Sequence, residues 1–106
     1  MVGGQQTWLP RPFYLYVLAS RRNGTLYIGI TDNLASRVTQ HRERVRKGFT
    51  DRHDVLRLVY FEPHDTRDGA FRRERAMKKW NRDWKLALIE RDNPEWDDLY
   101  PTLFGP

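Results

Sequence analysis

The sequence predicts an α+β domain in which a small, mainly antiparallel sheet of three strands is flanked by helices, in the order β-β-α-β-α-α. An Asn23-Gly24 pair separates two aromatic and aliphatic runs, and such a pair is the strongest short signal for an antiparallel hairpin. Apolar residues at helical spacing follow the hairpin. Three short strands cannot bury both faces of a sheet by themselves, so helices must cover it.

The chain of 106 residues is long enough for one domain, which we assign to residues 13–100. Residues 1–12 hold glycines and prolines and predict a flexible N-terminal segment, and residues 101–106 form a C-terminal tail. The absence of cysteine excludes disulfides and thiolate zinc sites and favours a reducing cytoplasm. No apolar run approaches the roughly 20 residues that span a bilayer. We therefore expect a cytoplasmic protein that does not enter a membrane.

Aromatic and branched residues define the strands. The first two, Phe13–Ala19 and Leu26–Ile30, flank the Asn-Gly turn. A third, Val55–Phe61, is expected to end at Pro63. The second strand contains Gly29, and a glycine inside a strand lets another group approach the backbone closely.

The first helix is predicted to begin after Thr31, Asp32 and Asn33, whose side chains suit the start of a helix. Gly48 suits its end. Its apolar face comprises residues at helical spacing, namely Leu34, Val38, His41 and Val45.

Two further helices are also marked by capping residues. Asp65 and Thr66 begin the second, which runs to about Trp80, while Asn81 begins the third and Asn93-Pro94 ends it. The residues expected on the inner face of the third helix are Trp84, Ala87 and Leu88. The aromatic residues expected to pack the tail back onto the domain are Trp96 and Tyr100.

Charge gives the first indication of function. The formal net charge is +5, and all 19 lysines and arginines lie within residues 11–91. Such a body attracts polyanions, and an excess of arginine suits two-pronged contacts with phosphate; solubility alone is the competing explanation. The candidates for nucleic-acid contact are basic residues of the helices: Arg42, Arg44, Arg46, Lys78, Lys79 and Arg82.

Two tyrosines, Tyr16 and Tyr27, lie on the two strands of the hairpin. Cross-strand pairing can bring their phenols together, and Gly29 lies two residues beyond the second tyrosine. Tyrosine is also an ordinary strand residue. A purely structural role is therefore the alternative for both.

Arg37 and His41 are four residues apart and share one face of the first helix. Arg37 lies at the edge of the apolar stripe, where its stem can follow the core while its guanidinium reaches the rim of a pocket. His41 lies on the stripe itself. The alternative for His41 is a half-buried structural histidine.

Glu74 is the most informative residue of the second helix. Its neighbours on the helical wheel, Ala70 and Met77, place it inside an apolar stripe, with Phe71 one turn before. A buried carboxylate must be paired, hydrogen-bonded or bound to a cation. An arginine is one candidate partner. The other is Mg²⁺, which takes few protein ligands beside water and phosphate oxygens.

These residues together resemble the GIY-YIG endonuclease family, which is named for two short strand motifs about ten residues apart. Tyr14-Leu15-Tyr16 stands at the first motif, where tyrosine and leucine replace the family's glycine and isoleucine, and Tyr27-Ile28-Gly29 matches the second. The family's arginine, ten residues after the second tyrosine, is Arg37, and its frequent histidine is His41. Its glutamate on a later helix corresponds to Glu74. The resemblance covers residues 13–100.

The last third of the chain resembles a compact bacterial subgroup built from the nuclease domain alone, through Lys78-Lys79-Trp80, Trp84-Lys85 and Asn93-Pro94-Glu95-Trp96. The family also has a late asparagine, for which Asn93 is preferred to Asn81. The specificity appendage of larger members is missing. Targeting would then come from the domain surface or from an unidentified protein partner.

The resemblance implies hydrolysis of a phosphodiester bond in DNA with Mg²⁺ or Mn²⁺ as cofactor. Glu74 would hold the ion and Arg37 would balance charge on the phosphate. Tyr16 is the first choice for general base, with Tyr27 orienting water or phosphate, and His41 is the alternative acceptor of the proton. The ordinary tyrosine pKa of about 10 is an obstacle to the first choice.

Two other classes of protein remain open at this point. One is a catalytically silent nucleic-acid-binding module that uses basic helices and exposed aromatic rings. The other is a protein-interaction domain that docks through its acidic, tryptophan-containing tail, which holds four acids and no basic residue: Asp92, Glu95, Asp97 and Asp98.

Overall fold

A computed structural model describes residues 12–46 and 55–105 of the chain. Three strands, β1 (Phe13–Ala19), β2 (Leu26–Thr31) and β3 (Arg57–His64), form a sheet in the order β2-β1-β3, and both pairs are antiparallel. The helices are α1 (Leu34–Arg46), α2 (Arg67–Lys79) and α3 (Arg82–Asp92), followed by a 3₁₀ helix (Tyr100–Phe104). The predicted α+β class and the predicted order of elements are confirmed.

The hairpin register sets the position of the two tyrosines. Tyr16 pairs with Gly29, and Leu18 pairs with Tyr27. Paired residues of antiparallel strands share a face of the sheet, as do alternate residues of one strand. Tyr16 and Tyr27 therefore lie on the same face, as diagonal neighbours.

The third strand extends beyond its predicted end at Phe61, and the prediction that Pro63 ends it is wrong. β3 continues to His64, and Pro63 pairs with Tyr14. β3 is an edge strand, where a residue that lacks an N–H group is tolerated.

The predicted helix starts agree with the observed caps. Side-chain oxygens of Asn33, Thr66 and Asn81 each accept a hydrogen bond from a backbone N–H in the first turn, at 3.1, 3.0 and 2.9 Å. The predicted stop at Gly48 and the predicted flexible segment, apart from Pro12, lie outside the described residues. Within the part of the chain that the structure covers, no helix is long and apolar enough to cross a membrane.

Alternate residues of β1 point into two apolar cores, one on each face of the sheet. Leu15 and Val17 lie in the core that α2 and α3 cover. Tyr16 and Leu18 lie in the core that α1 covers, with the 3₁₀ helix at its rim. The tail closes the first core with Trp96, which is fully buried as predicted.

The predicted inner face of α3 is wrong for Trp84 and Ala87, whereas Leu88 does pack against the core. Trp84 is 60% exposed and Ala87 is exposed, while Ile89 is buried and Leu86 and Leu88 pack only at the edge of the core. The helix is turned by about one residue, roughly 100°, from the predicted orientation. The pattern favoured Trp84 because of its size, but the first turn of α3 lies outside the core.

Asn93 ends α3 and joins the tail to the sheet. Its side-chain amide donates to the backbone oxygens of Val59 and Asp97 at 3.0 and 2.9 Å, and its side-chain oxygen accepts from the Asp97 N–H at 3.0 Å. Asn93 is buried, so these bonds are shielded from water. They account for this asparagine without a role in chemistry.

We expect Asn93→Ala to lower the free energy of unfolding by about 2–3 kcal/mol, because it leaves buried backbone groups without partners. Chemical denaturation of both proteins measures the difference. Asn93→Asp, which keeps the accepting oxygen but loses both donated bonds, should also destabilise. Unchanged stability of Asn93→Ala would show that water or the relaxed tail replaces these bonds.

Candidate active site

The candidate site begins at Tyr16, whose ring crosses from β1 over the neighbouring strand. A methyl group added at Gly29 would lie 2.7 Å from the Tyr16 hydroxyl oxygen and 2.8 Å from its Cζ. Tyr16 is only 2% exposed, so its ring has little room to move. The close approach predicted for Gly29 is therefore made by a side chain of the neighbouring strand, and glycine is required for it.

We expect Gly29→Ala to cost about 1–3 kcal/mol of stability, as overpacking of a core does. The change also displaces the Tyr16 hydroxyl. Gly69→Ala is a suitable control, because its added methyl would meet only side-chain atoms at longer distances, Thr66 Oγ1 at 3.2 Å and His64 Nδ1 at 3.7 Å. Thermal unfolding should show a clearly lower melting temperature for Gly29→Ala but not for Gly69→Ala. Equal melting temperatures of the two variants would contradict this packing.

Three rings run in a row from the sheet to α1. The centroids of Tyr16 and Tyr27 are 6.2 Å apart, and Tyr27 stacks on His41 with centroids 5.8 Å apart and planes inclined by 26°. Tyr27 is 45% exposed. The row thus has a buried end at Tyr16 and a solvent-facing member in Tyr27.

The pKa of Tyr16 shows which charges surround it. Burial, the largest cause, raises this pKa well above its ordinary range; Tyr27 and Glu74 raise it further, and Arg37 opposes them. Arg37 on α1 and Glu74 on α2 therefore both lie within electrostatic reach of the Tyr16 phenol. The phenol is protonated at neutral pH, which argues against Tyr16 as the general base in this state.

The hydroxyl groups of the two tyrosines also interact by a hydrogen bond, which contributes to the raised pKa of Tyr16. Either hydroxyl can be the donor.

Arg37 lies on the exposed side of α1 and lines a cavity of about 330 Å³. Thr31 and Asp32, at the end of β2, form part of the same wall. Among the residues that the structure covers, Arg37 forms no ion pair. Its guanidinium is available to an anion at the rim, as its place on the helix predicted.

Glu74 lies between the core and solvent on α2, with a side chain only 15% exposed. Ala70 and Met77 beside it are buried as predicted, whereas Phe71 is 44% exposed. Among the residues that the structure describes, the partner of Glu74 is not an arginine but Lys78, whose Nζ is 3.1 Å from a carboxylate oxygen. Lys78 is half-exposed, so the pair can open to admit another cation.

The donor set around Glu74 fits a hard divalent ion that keeps most of its water. Within residues 12–46 and 55–105 no group of three or more His, Cys, Asp or Glu side chains could form a metal cage. Mg²⁺ does not need one, because one or two carboxylates with water and phosphate oxygens suffice. Glu74 supplies the single carboxylate, and Arg37 lies within electrostatic reach of the same phenol, that of Tyr16.

His41 is held against Tyr27 with its Nε2 buried and without a hydrogen-bond partner among the described atoms. Burial lowers the pKa of His41, although a hydrogen bond to the Val55 backbone opposes this effect. His41 and Val55 line a cavity of about 200 Å³ together with Tyr27. His41 is accordingly neutral at pH 7.

The depressed pKa of His41 predicts a loss of stability in acid. The unfolded chain takes up the proton at the ordinary histidine pKa of about 6.5, before the folded chain does. The full contribution is therefore present above that pH and is lost as the pH falls below it. Melting temperatures recorded between about pH 8 and pH 5 should fall more steeply for the wild type than for His41→Phe, which keeps a ring on Tyr27. Parallel curves would contradict the prediction.

Two of the basic residues proposed for nucleic-acid contact are engaged in the fold. Arg42 pairs with Asp98 and lies 4.0 Å from the centroid of the Tyr100 ring, so it holds the tail against α1. Arg82 donates to the backbone oxygens of Asn23 and Gly24, at 2.8 and 2.6 Å, so it holds the hairpin turn.

The other candidates differ in availability. Lys78 pairs with Glu74, whereas Arg44 and Lys79 are exposed on α1 and α2. The side chain of Arg46 lies outside the described residues. Sequence reasoning missed Arg67, which lines the same cavity as Arg37; the available signal was a cation in the first turn of α2, where the helix dipole disfavours one.

The comparisons with known proteins identify the family to which this α+β domain belongs. The model of the GIY-YIG catalytic domain matches residues 12–87. The chain therefore belongs to the GIY-YIG family, whose domains are generally those of endonucleases.

The relatives are UPF0213 proteins of bacteria. A UPF0213 protein of Desulfotalea psychrophila is 31% identical over 85% of this chain and 83% of its own length. One of Clostridium perfringens is 36% identical over 72% of this chain and 81% of its own length. The solution structure of a UPF0213 protein from Bacillus halodurans, 24% identical, covers 85% of this chain and 95% of that one with a TM-score of 0.52. This last likeness concerns the fold.

Proposed function

We propose that the chain is a metal-dependent endonuclease that hydrolyses phosphodiester bonds in DNA with Mg²⁺ or Mn²⁺. The observation that carries the proposal is the electrostatic environment of Tyr16, which includes Tyr27 from β2, Arg37 from α1 and Glu74 from α2. Together with Tyr16 on β1, four separate elements would contribute to the proposed site. A cation-binding carboxylate, a free guanidinium and a pair of phenols are the groups that phosphodiester hydrolysis requires.

Arg37 and Glu74 would position the scissile phosphate between them. The Arg37 guanidinium binds the phosphate oxygens and stabilises the negative charge that grows on them during attack. Glu74 would hold the divalent ion together with those oxygens and water. Such an ion, when bound, supplies Lewis-acid stabilisation of the phosphate and of the leaving oxygen.

Tyr27 is our choice for the group that faces the attacking water. It is the exposed phenol of the pair, and its hydroxyl shares a hydrogen bond with that of Tyr16. Tyr27 would orient the water and, in its phenolate form, take the proton that the water loses as its oxygen attacks phosphorus. Tyr16 stays protonated and can donate a hydrogen bond to that phenolate oxygen. His41 holds the Tyr27 ring from the α1 side by stacking.

The test is single-turnover cleavage of labelled single-stranded, duplex and branched DNA and of RNA, each with Mg²⁺, Mn²⁺ or a chelator. We expect cleavage of DNA that stops when the metal is chelated. A preparation that binds these substrates but cuts none of them with either metal would identify the chain as a silent binding module. Cleavage confined to RNA would overturn DNA as the substrate.

A further inference from the structure

A second cationic residue faces the cavity beside the candidate active site. The cavity of about 330 Å³ that Arg37 lines is also lined by Arg67, from the first turn of α2. Two guanidinium groups from different helices thus face one space, against a single carboxylate, Asp32. Within the described residues neither arginine forms an ion pair. This arrangement indicates an anionic ligand larger than one phosphate group.

An exposed aromatic ring continues this surface. Arg67 also lines a neighbouring cavity of about 420 Å³ with Asp68 and Phe71. Asp68 is paired with Arg72, so its charge is compensated. Phe71 is 44% exposed. The surface therefore offers a cation followed by an exposed aromatic ring.

The helix spacing places this surface next to Glu74. Arg67, Phe71 and Arg75 are four residues apart and share one side of α2, and the Arg75 guanidinium carbon lies 5.6 Å from the centroid of the Phe71 ring. Phe71 and Glu74 are three apart and are neighbours on the helix surface. A strand with its scissile phosphate at Glu74 would therefore meet Phe71 within a nucleotide or so.

We infer that Arg67 and Phe71 form a subsite for the nucleotide adjacent to the cut, in which Arg67 binds its phosphate and Phe71 stacks on its base. The inference rests on the proposed function and adds a substrate class to it. A base stacked on Phe71 cannot be inside a continuous duplex, because a paired base has both faces covered by its neighbours. The preferred substrate is accordingly a DNA strand that is unpaired next to the cut.

The first test measures binding in the presence of a chelator, so that it does not depend on cleavage. The probes are a single-stranded oligothymidylate of about 20 nucleotides, a duplex of the same length, and an abasic strand with the same phosphates but no bases. Phe71→Ala should bind the oligothymidylate about 10-fold more weakly, in line with the loss of one stacking contact. Its affinity for the duplex and for the abasic strand should not change, and Phe71→Trp should restore binding.

The second test concerns the charge of Arg67. Arg67→Gln should weaken binding of the oligothymidylate and of the abasic strand alike, because both carry the same phosphates, and should reduce the slope of log affinity against log salt by about one. The matched controls are Arg91→Gln and Phe104→Ala. Arg91 lies in the last turn of α3, and Phe104 is 61% exposed on the 3₁₀ helix. Both controls should bind like the wild type.

Several outcomes would overturn the subsite. Phe71→Ala could bind every probe like the wild type, or lose affinity for the abasic strand as much as for the oligothymidylate. A wild-type chain that binds no nucleic acid would point to a protein partner for this surface. If the base-dependent loss were found but the wild type cut nothing with Mg²⁺ or Mn²⁺, the proposed function would fail and the subsite would stand.

Discussion

Replacing Glu74 with glutamine is expected to lower Mg²⁺-dependent cleavage of DNA by at least about 100-fold, the usual scale for losing an electrostatic element of an active site. Glutamine keeps the shape of the side chain but removes the charge that would retain the ion. Binding of DNA should survive, because one fewer negative charge near the phosphates favours association. Single-turnover cleavage and binding in a chelator measure the two effects separately.

The fold should tolerate this change, since within residues 12–46 and 55–105 Glu74 pairs only with the half-exposed Lys78. Exposed and partly exposed ion pairs contribute about 1 kcal/mol or less. Lys78→Gln breaks the same pair, so both variants should melt at nearly the same temperature. Glu95→Gln, at an exposed carboxylate paired with Arg22, controls for the loss of any negative charge. Full metal-dependent cleavage by folded Glu74→Gln would exclude Glu74 as the essential ligand.

Replacing Arg37 with glutamine is expected to lower cleavage by about 100-fold or more, because the charge that grows on the phosphate oxygens loses its fixed counter-charge. Arg37 is exposed and has no ion pair within the described residues, so stability should hardly change. The affinity for DNA should fall only by the contribution of one phosphate contact. The cleavage rate at saturating protein isolates the chemical effect from binding.

A conservative substitution separates charge from geometry at this position. Arg37→Lys keeps the positive charge but loses the planar fork that holds two phosphate oxygens, and we expect it to recover only part of the lost rate. Arg91→Gln removes one charge elsewhere on the surface and should cleave like the wild type. If Arg37→Gln and Arg91→Gln lost cleavage activity equally, Arg37 would contribute only to the overall attraction of DNA.

The backbone was predictable because its signals are local. The Asn23-Gly24 turn fixes the hairpin, and the hairpin register alone places Tyr16 diagonally across from Tyr27. The capping residues Thr66 and Asn81 set where α2 and α3 begin. Each of these features depends on residues close together in the chain, so the sequence shows them directly.

The features that were missed depend on contacts between distant parts of the chain. Arg42 looks like a solvated cation in the sequence, but Asp98 and Tyr100 approach it only when the tail folds back. Arg82 likewise meets the hairpin turn across 59 residues of sequence. No helical wheel shows which basic side chains are already occupied in this way.

The candidate active site likewise combines features that the local sequence predicts with features that only the folded chain shows. The nearness of Glu74 to core residues followed from its helical stripe, and the structure adds that its cation partner is Lys78. That Tyr16 is buried enough to raise its pKa could not be seen in the strand pattern. This one fact moves the proposed proton acceptor from Tyr16 to the exposed Tyr27.

The most direct test of the whole account is the rate at which the wild type and the Arg37→Gln/Glu74→Gln double variant, purified in parallel, cut a labelled single strand of DNA in Mg²⁺. Groups that act as one catalytic unit show strongly non-additive losses. We predict metal-dependent cleavage by the wild type. The cleavage rate of the double variant should be reduced about as much as that of the slower of the two single variants, Arg37→Gln and Glu74→Gln. Equal cleavage by both preparations, or no cleavage by a folded wild type, would contradict the account.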